Sequence, residues 1–174
     1  MKLLFFIPFV LLLSVGSVSA QKCKYEKDMI DAVTDMKIKR TRPVGIARVN
    51  NNPLLVKAQC IGKNKYLKIR YYMYEGFKIR ENEPLEFFFT DNTSLVITAR
   101  EMPESKTSGG FTQVSELLVY DLTQEQYLTL MEKPLLAIKY YVETGGFVRK
   151  DVRKNNSENL MQILKCILLD TDNF

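Results

Sequence analysis

From Leu54 to Asp121 the chain alternates between apolar and polar residues with a period of two, the repeat of a β-strand that buries one face. The runs are rich in β-branched and aromatic residues and are separated by residues typical of turns. This pattern predicts an antiparallel meander, in which successive strands pair through short connections. The predicted strands cover residues 54–61, 65–74, 77–80, 85–90, 94–100 and 111–121.

Two connections in this region have the residues of tight turns, and a third has the composition of a mobile loop. Residues 62–64 and 91–93 supply glycine, asparagine and aspartate, which adopt turn conformations readily. The segment 102–110 is longer and contains proline, serine, threonine and two glycines. We therefore expect a mobile loop over 102–110.

Beyond Leu122 the period of two gives way to a helix signal. Thr123 is a good N-cap residue, and Gln126 follows three positions later, as a capping box requires. Pro134 limits the helix, because the residue before a proline favours an extended conformation. Two strand-like runs follow, joined by a turn at residues 143–146.

A second helix is predicted near the carboxyl end of the chain. Asn155 and Glu158 resemble a capping arrangement, and an apolar stripe at helical spacing follows them. The fold class predicted is α+β: an antiparallel meander sheet with two or more helices from the C-terminal half packed on it. The segment 21–50 stays open between a short helix and an extended chain. Its apolar residues are Met29, Ile30, Val33 and Met36.

The amino-terminal twenty residues have the layout of a cleaved secretory signal. Lys2 provides a short positive region, residues 3–13 are apolar apart from Pro8, and Val18 and Ala20 fit a signal-peptidase site. The apolar run is well short of the roughly 20 residues that span a bilayer. We expect a signal peptide at 1–20 and a single α+β domain at 21–174 with no transmembrane span. The expected location is the periplasm or outside the cell.

The charge of residues 21–174 is mildly positive, because Lys2 is the one charged residue of the signal and the whole chain carries +5. Acidic and basic residues are interspersed rather than blocked. A nucleic-acid-binding protein usually has a larger and more clustered excess of cations. Nucleic acid is therefore an unlikely partner, and the partner expected is an envelope protein or a glycan.

Export places the three cysteines in an oxidising compartment, where pairing is expected. Three thiols allow three different single bridges. Cys60 shares one face of its predicted strand with Val56 and Ala58, which favours a small buried hydrophobic role. The pairing that we predict joins Cys23 and Cys166, near the two ends of the mature chain, although connectivity does not follow from sequence alone.

The stretch "YLKIRYYMY" combines tyrosines and cations at alternating positions. Leu67 and Ile69 belong to its apolar face, together with Tyr71 and Met73. Rings flanked by cations stack on sugars or hold anionic ligands, so the opposite face is a candidate binding surface. The alternative is an ordinary solvent-exposed side of an antiparallel sheet. The candidate binding residues are Tyr66, Lys68, Arg70, Tyr72 and Tyr74.

The chemistry of most enzyme classes is missing from the sequence. The chain has no histidine, which excludes Ser-His-Asp and Cys-His catalysis and any histidine-containing zinc site. We expect no cofactor, no metal and no catalytic residue, and the leading hypothesis is a non-enzymatic binding or supporting domain. One alternative is a histidine-free hydrolase or lyase that uses Asp or Glu. Another is a secreted inhibitor or adaptor that presents the 102–110 loop.

Three segments together resemble a group of small exported proteins of Bacteroidetes-type bacteria: "QKCKYEKDMIDAVTDMKIKRT", "LTQEQYLTLMEKPLLAIKYY" and "NLMQILKCI". That group shares an early CxYExN-IDxFT phrase, a central LxFxLxDG hairpin and a KxLxCI ending. Asp28 stands where the phrase has Asn, and Ala32-Val33 replaces its acidic-aromatic pair. The resemblance implies a bacterial envelope location and no particular activity. It also implies that Cys23 and Cys166 match the two cysteines of the group.

Overall fold

The computed structural model describes residues 23–49, 52–73, 82–100, 105–108, 112–115, 118–141, 146–170 and 172. The expected signal peptide, the predicted strand at 77–80, Tyr74 and most of the predicted turn at 143–146 lie outside these residues.

The described residues form thirteen strands, two α-helices and one 3-10 turn, at Lys154–Asn156. The helices are α1 (Gln124–Glu132) and α2 (Asn159–Cys166). The strands are β1 (Tyr25–Ile30), β2 (Lys37–Thr41), β3 (Val44–Val49), β4 (Asn52–Ile61), β5 (Asn64–Arg70), β6 (Tyr72–Met73), β7 (Pro84–Phe89), β8 (Ser94–Thr98), β9 (Ser105–Ser108), β10 (Thr112–Ser115), β11 (Leu118–Leu122), β12 (Leu135–Tyr141) and β13 (Phe147–Asp151).

The strands form three sheets, and every pairing between them is antiparallel. Sheet 1 has the order β1-β2-β4-β5-β11, with β3 also paired to β4. Sheet 2 has the order β6-β10-β9, and sheet 3 the order β13-β12-β7-β8. The α+β class, with antiparallel sheets and two helices in the C-terminal half, is therefore confirmed.

The segment 21–50, which the sequence leaves open, forms β1, β2 and β3, and a turn at residues 32–34 lies between β1 and β2. β3 and β2 lie end to end along one edge of β4, opposite residues 52–56 and 59–61 respectively. At the break between them, the Thr41 hydroxyl accepts a hydrogen bond from the Ala58 N–H at 3.0 Å and donates one to the Ala58 carbonyl at 3.4 Å. Both backbone groups of Ala58 are thus satisfied where strand pairing is interrupted.

Two of the predicted strands are extended, as expected, but each is divided between two sheets, so the prediction of one continuous strand is wrong in both cases. The strand predicted at 65–74 divides at Tyr71 into β5 of sheet 1 and β6 of sheet 2. The strand predicted at 111–121 divides into β10 of sheet 2 and β11 of sheet 1. The alternation of side chains continues past Tyr71, so the pattern contains no signal for the change of sheet.

The expectation of a mobile loop over 102–110 is wrong at its centre. β9 occupies Ser105–Ser108 and pairs with β10 at four positions. Residues 101–104 and 109–111 lie outside the described part of the chain. Composition misled here because serine and threonine are compatible with an extended backbone, and backbone pairing with β10 provides hydrogen bonds whatever the side chains are.

The capping box of α1 is confirmed. The Thr123 hydroxyl accepts a hydrogen bond from the Gln126 N–H at 3.2 Å, and the Gln126 side-chain oxygen accepts one from the Thr123 N–H at 2.9 Å. The helix ends at Glu132, and Lys133 is extended before Pro134, as the sequence predicts.

The capping arrangement predicted for α2 is wrong. Asn155 lies in the 3-10 turn, and Glu158 occupies the N-cap position without a side-chain capping bond. The start of α2 is held instead by Asn159, whose amide donates to the Gly45 carbonyl at 2.8 Å. A contact to a residue more than a hundred positions away has no local sequence signal.

One core joins sheets 1 and 3 to both helices. Leu67 and Ile69 of β5 are fully buried in it, as predicted, and Leu160, Ile163 and Leu164 of α2 are buried with them. At the centre the ring of Tyr71 packs edge-on against that of Tyr140, with 4.6 Å between centroids. The Tyr71 hydroxyl shares a 2.6 Å hydrogen bond with that of Tyr120.

The two ends of the described chain are tied into this core. Cys23 and Cys166 form a disulfide between the residues before β1 and α2, which is the pairing predicted, and Cys60 is a buried free thiol. Near the carboxyl end the Asp172 carboxylate binds the Lys65 ammonium at 2.6 Å, with only 6% of each side chain exposed.

Candidate functional site

β5 places three of the five predicted binding residues on one surface. Tyr66, Lys68 and Arg70 are partly exposed on the side of sheet 1 away from the core, here called the outer face. The Tyr72 side chain and all of Tyr74 lie outside the described residues. The predicted division of this stretch into a buried side and a partly exposed side is confirmed for residues 66–70.

Neighbouring strands extend this surface in rows across β5. Tyr66 lies opposite Gln59 of β4 and Asp121 of β11. The Gln59 side chain is buried, and its oxygen accepts a hydrogen bond from the Arg40 Nε at 2.7 Å. Sequence reasoning saw only β5, because the partners of a strand come from distant parts of the chain.

The next row places two cations directly opposite each other. Lys57 of β4 pairs in register with Lys68 of β5. Like charges at directly opposed positions destabilise a sheet. Glu26, at the irregularity in the β1–β2 pairing, offsets part of this repulsion through a 2.5 Å ion pair with Lys57.

Positive charge dominates the outer face around β5. The described central strands and their immediate neighbours place more cations than carboxylates there. Such an excess attracts polyanions and disfavours cationic partners. The cations include Lys27, Arg40, Lys57, Lys68, Arg70 and Arg100, and the carboxylates include Glu26 and Asp121.

Two adjoining grooves cross this face, and both are lined by Tyr66 and Arg100. The first has a volume of about 220 Å³ and is completed by Gln59, Ile61, Lys68 and Val119. The second has a volume of about 280 Å³ and is completed by Asn64, Lys65, Asp121 and Leu122.

Arg100 is a site residue that sequence reasoning missed. Its backbone N–H donates a hydrogen bond to the Val119 carbonyl at 3.0 Å. This bond holds Arg100, which follows β8, against β11. Its guanidinium lies 3.7 Å from the Asp121 carboxylate, and both side chains are largely exposed. In the sequence, Arg100 is thirty residues beyond Arg70. It reaches the groove because it is hydrogen-bonded to β11, and β11 pairs with β5.

A second surface of aromatic rings and cations lies on the outer side of sheet 3. The Arg149 guanidinium packs 4.6 Å from the centre of the Phe88 ring. The Lys139 ammonium lies 4.9 Å from the Tyr141 ring centre and 5.0 Å from that of Phe147. The pKa of Lys139 is raised, chiefly by its hydrogen bond to Tyr141. The cations of this surface are therefore engaged with rings of the protein itself.

The described residues do not bring together the groups that the enzymatic alternative requires. Among the described residues that line the two grooves, one is a carboxylate, Asp121 in the second groove. No group of three Cys, Asp or Glu side chains in the described part of the chain is arranged to hold a metal ion.

Comparison of the chain with protein-family models, with curated proteins and with solved structures finds no significant match. Within the described ranges, no helix combines the length and the apolar character needed to cross a membrane. The functional conclusion therefore depends on the geometry of the outer face and on the sequence.

Proposed function

We propose that this chain is an exported, non-enzymatic binding domain whose outer face of sheet 1 holds a polyanionic macromolecule of the cell envelope. The signal-like amino terminus, the disulfide, and the resemblance to small exported bacterial proteins support export. The grooves at Tyr66 and Arg100 provide concave surface beside the cations.

The observation that carries this proposal is the concentration of cations on the outer face of sheet 1 around the first groove. Lys57 and Lys68 lie directly opposite each other on neighbouring strands, and Lys68 and Arg100 line the groove. A surface with clustered cations attracts polyanions. The charge of this surface is therefore complementary to that of the proposed ligand.

The test compares binding of the purified mature protein to immobilised polygalacturonate and polyglutamate, with neutral dextran as the blank. The variant Lys68→Glu/Arg70→Glu reverses two charges on the outer face. We expect it to weaken polyanion binding at least tenfold and to abolish most of its salt dependence, because these cations contact the ligand directly.

A matched control is Lys139→Glu/Arg149→Glu, which changes the net charge by the same amount on sheet 3. We expect this variant to retain binding within about twofold, since its cations lie on another surface. An equal loss in both double variants would show that net charge alone drives retention. That outcome would refute a specific role for the outer face of sheet 1.

A further inference from the structure

The hairpin formed by β1 and β2 concentrates exposed apolar side chains. Among the described residues, eight large apolar side chains are exposed, and four of them lie in this hairpin. These four are Met29, Ile30, Val33 and Met36. Exposed apolar side chains that are grouped in this way mark a contact surface, whereas scattered ones do not. The hairpin is therefore a candidate site of protein contact.

β1 is also an open edge of sheet 1. It pairs with β2 on one side, and within the described ranges no strand lies on its other side. The Asp31 N–H donates to the Met36 carbonyl at 2.9 Å, and backbone groups alternate in direction along a strand. The N–H and C=O groups of Asp28 and Ile30 therefore point outward, where they can pair with another strand.

The charges of β1 distinguish between the ways in which two copies of this edge can pair. In an antiparallel two-fold pair, the residue at the centre decides which side chains face each other. Centring on Lys27 opposes two lysines and places Glu26 against Asp28, and centring on Asp28 opposes two aspartates. Like charges directly opposite each other destabilise a strand pair. Centring on Ile30 leaves only residues 29–31 to pair before the turn at 32–34.

Centring on Met29 removes these conflicts. Each Lys27 then lies opposite Asp31 of the second copy, which gives two ion pairs related by the axis. The outward backbone groups of Asp28 meet those of Ile30 in the other strand, as an antiparallel ladder requires. The turn hydrogen bonds to the Asp31 carboxylate from Val33 and Thr34 all go to Oδ1, which leaves Oδ2 for the Lys27 ammonium.

We infer that the chain forms a two-fold dimer in which β1 pairs antiparallel with β1 of a second copy, centred on Met29. The pairing uses residues 27–31 of each copy, far fewer than the roughly 20–30 residues a side of a stable complex, so the dimer is weak and depends on protein concentration. The axis is perpendicular to sheet 1, which places the outer faces of both copies on the same side of one continuous sheet. The dimer does not depend on the ligand of that face.

Cross-linking by cysteine tests the register. Met29→Cys brings two thiols to the axis, where opposed Cα atoms are about 4.5 Å apart, within the range of a disulfide. Lys27→Cys is the matched control, because this register separates its two thiols by about 13 Å along the strands. We expect a mild oxidant to link Met29→Cys into a dimer about tenfold faster than Lys27→Cys. Equal rates, or faster linkage of Lys27→Cys, would overturn the centring on Met29.

Sedimentation equilibrium of the purified mature protein tests the dimer itself. Ile30→Pro removes an outward N–H and no bond between β1 and β2, and Lys27→Glu places like charges opposite each other. We expect each change to raise the dissociation constant of the dimer about tenfold, and Val33→Ser, beyond the paired residues, to leave it within about twofold. A monomer at every concentration, or a loss in Val33→Ser as large as in Ile30→Pro, would overturn pairing through β1.

Discussion

The tyrosine cluster at the centre of the core permits a stabilising substitution. The Tyr140 hydroxyl is buried and has no hydrogen-bond partner among the described residues, whereas the Tyr71 and Tyr120 hydroxyls bond to each other at 2.6 Å. Each of these three side chains is at most 1% exposed. Replacement of Tyr140 by Phe removes an unsatisfied polar atom and keeps the ring that packs on Tyr71.

The expected size follows from the penalty for burying an unpaired polar group, which is about 1–3 kcal/mol. We expect Tyr140→Phe to raise the free energy of unfolding by about 1–2 kcal/mol, since the small void left by the oxygen cancels part of the gain. Tyr71→Phe is the matched control. It takes away the partner of the Tyr120 hydroxyl and should lower the free energy of unfolding by about 1–3 kcal/mol.

Urea unfolding followed by far-ultraviolet circular dichroism measures both effects. If the dependence of the unfolding free energy on urea concentration has the same slope in each variant, the free energies can be compared directly. The double variant Tyr71→Phe/Tyr120→Phe should be less destabilised than Tyr71→Phe, because both partners of one bond are then removed. A Tyr140→Phe variant as unstable as Tyr71→Phe would refute the assignment of an unsatisfied hydroxyl.

Three further stability effects are expected. Asp172→Asn should lower the free energy of unfolding by about 3–5 kcal/mol in urea denaturation, because it leaves the Lys65 ammonium buried without its counter-ion, and an unchanged midpoint would contradict this. Replacement of Cys23 and Cys166 by Ser should lower it by about 5 kcal/mol in the chain-entropy view of a loop closed over 143 positions, and a loss under 1 kcal/mol would exclude that view. Burial raises the pKa of Tyr120 above its ordinary value of 10.0, so the neutral form is favoured in the folded state. The contribution of each such buried tyrosine to stability should therefore be constant below pH 10 and fall above it, by roughly 1.4 kcal/mol per pH unit, and alkaline unfolding curves that stay flat from pH 10 to pH 12 would contradict this.

Local patterns predicted the secondary structure well where the physics is local. Leu67 is buried and Lys68 is partly exposed because neighbouring residues of a strand point to opposite faces, which the sequence alone reveals. The capping box of Thr123 and Gln126 was likewise predictable, since both hydrogen bonds form within one helical turn.

Features that depend on distant contacts were not predictable in the same way. The change of sheet at Tyr71 depends on which strands lie beside β5 and β6, and the alternation is the same on either side of it. Arg100 enters the candidate site only because β11 pairs with β5. The residues of the candidate site on β5 could therefore be predicted from the sequence, whereas those on neighbouring strands could be identified only from the order of strands in the sheet.

The most direct test of the binding surface is an amide chemical-shift titration of the mature protein with polygalacturonate or polyglutamate, whichever binds more tightly. We expect shift changes concentrated in β4, β5 and β11 around Gln59, Tyr66 and Lys68, together with the Arg100 amide. Changes centred on Lys139 and Arg149 of sheet 3, or spread evenly over the protein, would contradict a binding role for the outer face of sheet 1.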